Sequence, residues 1–287
     1  MRPDPHDVSH SGPRPSPRVR PAHVVVVASG RAGVGTSVCA ALLALECASL
    51  GGRVLLIDGH EGHGTLHSLF GVRPVRLLES LRDPHVGVND VCTALGDAFT
   101  LVACAPTTLG LRPFSRETHA APWERLLPLS ADYDCVIVDA GSRLDNIRAI
   151  ATSGAGRAVL VTDTDPMSLA ATFALIKALH ADVPALASTV LVNRREGHAA
   201  ECASAQIADA CSHFLAVDIP LAGCVPDDAS LSAAIGAGML VGDAGQGSPA
   251  AAAMQPVALT VFPFLADVDV ATPASSPPHA LRRRSSP

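Results

Sequence analysis

The chain is poor in the residues on which many functions lean. In 287 residues it has one lysine, Lys177, one tryptophan and one tyrosine, Tyr133, and aromatics make up only 3%. With that single Tyr and single Lys far apart, the Tyr-x-x-x-Lys pair of one large oxidoreductase class is excluded. There is no excess of positive charge: the net charge is −6 and the pI near 6.0, so the molecule as a whole is not a basic nucleic-acid binder. Its eight cysteines, at 39, 47, 92, 104, 135, 202, 211 and 224, include no C-x-x-C pair. Several sit in apolar runs, as Cys135 does before Val136-Ile137-Val138. They read as reduced core residues of a cytosolic protein, not as a disulfide framework or a zinc site. No apolar stretch is long enough to span a membrane, and the first residues lack a hydrophobic signal core.

Apolar residues reach 48%, mostly Ala, Val and Leu, which suits helices packed on a parallel sheet. Residues 1–22 are rich in Pro, Arg, His and Ser without periodicity and read as a disordered arm. Residues 267–287, with Pro277-Pro278 and Arg282-Arg283-Arg284, read as a disordered tail. Between them, 23–266 forms one domain. Strands are expected at 23–28, 53–58, 99–103, 134–139, 157–162, 187–192 and near 222–225. Helices are expected at 37–50, 116–130, 144–152, 168–181, 197–214 and 249–262. This alternation predicts an α/β fold, a doubly wound and mostly parallel sheet with helices on both faces.

The segment Gly30-Arg31-Ala32-Gly33-Val34-Gly35-Thr36-Ser37 follows a β-branched run and precedes a helix. Strand, glycine-rich turn and helix are the context of a phosphate-binding loop, whose backbone amides point at phosphate oxygens. The glycines keep the G-x-x-x-x-G-K-[ST] spacing, but Thr36 stands at the lysine position. Ser37 occupies the place of the Mg2+-binding hydroxyl. Two later strands end in acids, Arg53 to Asp58 and Asp134 to Asp139. The second has the form of a Walker B strand, whose terminal Asp reaches the Mg2+ shell.

These segments together resemble the MinD/ParA family of deviant Walker ATPases, and most closely its flagellar-number-control branch. The family loop S-G-K-G-G-V-G-K-[ST] is matched by Ser29 to Ser37. Its V-L-L-I-D-A-D-x-G-x-x-N-L-x-x-L-L-G is matched by Val54 to Gly71, and its Y-D-x-[IV]-[IV]-[IV]-D by Tyr133 to Asp139. Leu191-Val192-Asn193-Arg194 is similar to the adenine-side V-V-N-R. Pro220 to Asp228 is similar to P-x-x-G-x-[IV]-P-x-D, and Ser248-Pro249-Ala250-Ala251 to the start of the last helix. The match is collinear from about 23 to 265. The resemblance implies a P-loop NTPase fold with ATP and Mg2+ as cofactors. It implies nucleotide contacts from Gly30, Arg31, Ala32, Gly33, Val34, Gly35, Thr36, Ser37, Asn193, Arg194, Pro226 and Asp227. Ser37 and Asp139 would face the metal, and Asp58 and Asp139 would be the catalytic acids.

The departures fall on the chemistry. Arg31 replaces the family's signature lysine, Thr36 the ordinary loop lysine, His60 the switch I aspartate and Thr65 the switch I asparagine. Loss of a loop cation and a switch acid removes charge stabilisation where phosphoryl transfer needs it, so hydrolysis is expected to be weak or lost. The expected function is an ATP-binding regulator of the position or number of a cell structure, flagella first. It would act as a homodimer with a protein partner such as a flagellar or polar regulator. The alternatives are a nucleotide-free interaction scaffold, a ParA-type partitioning protein and, distantly, a dinucleotide-dependent oxidoreductase using Asp58 for a ribose. DNA is not an expected partner. The expected location is the cytoplasm. The inner face of the membrane is a lesser expectation, since three arginines fall below the cluster that reads as lipid-binding. His60-Glu61-Gly62-His63-Gly64-Thr65-Leu66-His67 lacks the H-E-x-x-H spacing of zinc proteases. His63 and His67 would share a helix face there.

Overall fold

Val24 to Val27 is a β-branched run, and from Val25 to Ala28 side chains are buried on both faces, the pattern of a central parallel strand. The computed structural model, which describes residues 23–60, 63–105 and 120–268, places it there. Eight strands form one sheet: β1 (His23–Ser29), β2 (Val54–Asp58), β3 (Cys92–Ala94), β4 (Phe99–Val102), β5 (Cys135–Gly141), β6 (Arg157–Thr162), β7 (Ala187–Asn193) and β8 (Leu221–Val225). Their order is β3-β4-β2-β5-β1-β6-β7-β8, all parallel except the β3–β4 pair. The helices are α1 (Thr36–Ser49), α2 (Leu66–Leu69), α3 (Ala120–Leu126), α4 (Leu144–Thr152), α5 (Pro166–Asp182), α6 (Gly197–Leu215), α7 (Ala229–Gly236), α8 (Val241–Ala244), α9 (Pro249–Ala252) and α10 (Met254–Val261).

Strand alternation sends side chains to two cores. Val25 and Val27 meet α1 and α10 on one face. Val26 and Ala28 meet the face covered by Trp123 of α3, Ile147 of α4, Ile176 of α5 and Ile207 of α6. The α/β architecture and all seven strands expected from sequence are present. Packing continues to the chain's last described residue, Val268, which approaches Gly51.

The differences have local causes. The strand β3 has three residues, too few to show a period, and α2 and α8 have four each. The helix α7 is eight residues long, mostly Ala and Ser, and offers only Leu231 and Ile235 to the core, too short a stripe to announce it. The helix expected at 249–262 is broken at Ala253. Pro256 has no N–H to return to the carbonyl four residues earlier. Likewise the helix expected at 116–130 is α-helical only over 120–126 among the described residues. It tightens to a 3-10 turn over Leu127–Asp132, where Pro128 sits, and 116–119 lie outside the described residues. The arm 1–22 and the tail from 269 lie outside them too.

Candidate functional site

Every expected site residue lies on a loop, a strand end or the first turn of α1 at the carboxyl edge of the sheet, the edge where open α/β sheets bind ligands. The turn from β1 to α1 is shaped by two left-handed glycines, Gly33 (φ 87°) and Gly35 (φ 91°). Gly30 is forced by close approach instead: a Cβ there would lie 2.3 Å from the Ala171 carbonyl of α5. At Gly35 a Cβ would meet the Asn193 amide at 2.5 Å. That amide donates from Nδ2 to the Val34 carbonyl at 2.7 Å, so the end of β7 holds the loop from the other side. The N-terminus of α1 has neither a side-chain cap nor an acid in its first turn. Its amides and its positive dipole end are left for an anion.

The two positions that carry lysines in the resembling family point elsewhere. The Thr36 side chain is buried and donates from Oγ1 to Ser29 Oγ at 2.8 Å. Ser29 Oγ donates to the Arg31 carbonyl at 2.9 Å. The guanidinium of Arg31 lies against the start of α5, 3.2 Å from the Asp165 carboxylate and 3.4 Å from Ser168 Oγ. The loop keeps its backbone, and its side chains fold back on the protein.

Asp58, the last residue of β2, and Asp139, two residues before the end of β5, are register partners and are both fully buried. The Asp58 carboxylate accepts from the amides of His60 (3.2 Å), Thr65 (2.9 Å) and Leu66 (3.1 Å). It organises the switch segment ahead of α2. Burial, and then the charge of Asp139, push its pKa well above the usual value against those amides. Asp139 accepts from the Gly141 amide at 3.1 Å through Oδ1, while Oδ2 is buried without a hydrogen-bond partner. Burial raises Asp139 to about 6, opposed by the nearby Ser37 hydroxyl and the Gly141 amide. An orphaned buried carboxylate oxygen beside a P-loop hydroxyl fits a hard divalent cation such as Mg2+. Among the described residues no three His, Cys, Asp or Glu side chains converge on a metal geometry, so such an ion would also need ligand or water oxygens.

His60 sits at the mouth of this acid pair. Its ring covers Gly141, where a Cβ would come within 2.4 Å of it, and stacks on His63 at 5.1 Å. Burial first, then His63 and Arg143, lower its pKa, so the neutral imidazole is favoured. The expected helical pairing of His63 with His67 is corrected: α2 begins at Leu66, leaving His63 in the preceding loop. Glu61 and Gly62 lie outside the described residues.

On the far side, Arg194 adopts φ 60° and the Arg195 amide donates to the Val225 carbonyl at 3.0 Å, joining the exits of β7 and β8. Pro226 is half-buried and Asp227 exposed. Asp227 is the expected nucleotide contact; its neighbour Asp228 has a structural place as the N-cap of α7. Asp228 is buried and accepts from Leu231 N (2.8 Å), Ser230 Oγ (2.5 Å), Ser248 Oγ (2.6 Å) and Ala250 N (3.4 Å). These bonds, the two serines first, hold its carboxyl well below the usual range. The P-x-D spacing already ended on Asp228, and that was the signal.

No protein-family profile matches the chain. It is 28% identical over 247 residues to the antiactivator FleN of Pseudomonas aeruginosa, covering 85% of this chain and 87% of that protein. It is 27% identical over 213 residues to the septum site-determining protein MinD of Bacillus subtilis, covering 71% and 76%. Among solved structures, the cell-division ATPase MinD of Pyrococcus furiosus superposes with a TM-score of 0.67 at 21% identity, over 85% of this chain and 99% of that one. MinD of Pyrococcus horikoshii, solved with Mg-ADP, gives 0.67 at 21% over 83% and 95%.

Proposed function

We propose that this chain, which belongs to the MinD/ParA family, is a positioning regulator whose P-loop binds a Mg2+–adenine nucleotide and turns it over slowly or not at all. FleN resembles it over most of its length, so control of flagellar number or placement is the first reading of its role. The observation that carries the enzymatic half is the Thr36–Ser29 bond, which sends the side chain at the loop's cation position inward.

On this reading the amides at the start of α1 donate to phosphate oxygens, and Ser37 and Asp139 hold the ion. A bound Mg2+ would supply charge neutralisation of those oxygens. Asp58 fixes the switch segment through three amide bonds, and Asn193 braces the loop. His60, held neutral over Gly141, brings no carboxylate to orient a water. In related phosphoryl transfers a single cation is worth about 10³–10⁵ in rate, so loss of the loop cation alone brings turnover near background. A homodimer that meets a protein partner follows from family membership.

Two measurements test this. Phosphate release from ATP should stay at background for the wild type. Deletion of its gene should change the number or placement of flagella. Normal flagella with unstable plasmid or chromosome inheritance would favour the partitioning alternative instead.

A further inference from the structure

We infer that the loop takes a nucleoside diphosphate in preference to a triphosphate, so that this switch is not set by a γ-phosphate. The inference rests on the nucleotide reading above and deepens it. The backbone, hydroxyl and acid groups that cradle the inner phosphates are kept: the left-handed glycines 33 and 35, the uncapped amides of α1, and Ser37 beside Asp139, whose Oδ2 has no hydrogen-bond partner. The groups that would serve a third phosphate are turned away or replaced. A P-loop lysine reaches the β- and γ-phosphates, and at that position Thr36 is bound to Ser29. The loop's remaining cation, Arg31, is held by Asp165 and Ser168. What stands near instead is a pair of fully buried acids, Asp58 and Asp139.

A triphosphate therefore carries extra negative charge to a site that has kept its buried acids and given up the loop cation that would offset that charge. Among the described residues Arg143 lies close enough to influence His60, but it is exposed, where water and salt screen it. A charge-assisted hydrogen bond is worth roughly ten- to a hundred-fold in affinity, so its loss is large enough to invert the order of the two ligands.

The test is calorimetric titration of the full chain with Mg-ADP and with the Mg2+ complex of the β,γ-imido analogue of ATP. The diphosphate should bind at least about tenfold tighter. Thr36→Lys, checked by thermal unfolding, should raise affinity for the triphosphate analogue relative to ADP by about tenfold. Equal or tighter binding of the triphosphate analogue by the wild type overturns the inference while leaving nucleotide binding intact. Heat from neither ligand overturns the nucleotide reading and the inference with it.

Discussion

Thr36 Oγ1 lies 2.8 Å from Ser29 Oγ in a buried hydrogen bond that runs from the first residue of α1 back to the last residue of β1. Ser29 continues the chain to the Arg31 carbonyl at 2.9 Å, so two hydroxyls close the loop at its base. A lysine at 36 would send its charge out of this corner. Threonine spends its one donor inside it.

Thr36→Val keeps the shape and removes that donor. A buried hydrogen bond is worth about 1 kcal/mol, more when a partner is left unpaired, so stability should fall by about 1–2 kcal/mol. Chemical denaturation would read the loss, with an unchanged m-value.

Asp139 is raised to about 6 from its ordinary 3.8 by burial, and that fixes a direction with pH. The folded chain holds this proton more tightly than the unfolded one, so the group favours folding most at low pH. Its contribution is lost as pH rises through the window from about 4 to about 6. Asp139→Asn removes the penalty of a buried charge and should stabilise the protein at pH 7 by about 2 kcal/mol, with the gain vanishing near pH 4. Mg2+ alone should raise the wild-type Tm at pH 7 and leave that of the variant unchanged. Unfolding midpoints across this pH range would check both.

Asp228 titrates in the opposite sense. Its carboxyl is held below the usual range by Ser230, Ser248 and the amides of Leu231 and Ala250. Its contribution is complete above the ordinary aspartate pKa near 4 and is lost as pH falls below it. Asp228→Ala leaves two hydroxyls and a helix start without their acceptor, which should cost about 2–4 kcal/mol at pH 7. Denaturation at pH 7 and at pH 3 should show the gap between wild type and variant narrowing in acid.

Gly30→Ala places a methyl within 2.3 Å of the Ala171 carbonyl, a contact with backbone that cannot rotate away. The loop must lift from α5. An expected destabilisation of about 2–3 kcal/mol should come with loss of nucleotide binding. Gly33→Ala meets nothing within 4 Å and is strained only by its φ of 87°, so it should cost less, about 1–2 kcal/mol. The order of the two in thermal unfolding separates crowding from backbone strain.

The strands were legible because a buried parallel strand writes itself as an unbroken apolar run, as Val24 to Ala28 and Cys135 to Val138 do. The loop was legible from glycine spacing, and its altered chemistry from one letter at 36. The destination of the Thr36 side chain was not, because a hydroxyl reaches the partner that tertiary structure brings, here Ser29. Arg31 shows the same limit: its Asp165 partner lies 134 positions away in sequence. The capping role of Asp228 was not legible, because two adjacent acids look alike until the fold buries one of them. The broken helix at Ala253 was written in Pro256 and misread as a continuous apolar stretch.

The account stands or falls on whether the loop frame still binds a nucleotide through Ser37 and Asp139. Titration of the wild-type chain with ADP, with and without Mg2+ and beside Ser37→Ala, tests that most directly. The predicted result is saturable one-to-one binding that needs Mg2+ and weakens by about tenfold or more in the variant. Heat indistinguishable from dilution at millimolar ADP would contradict it and leave a loop that keeps the shape of a phosphate site without the use.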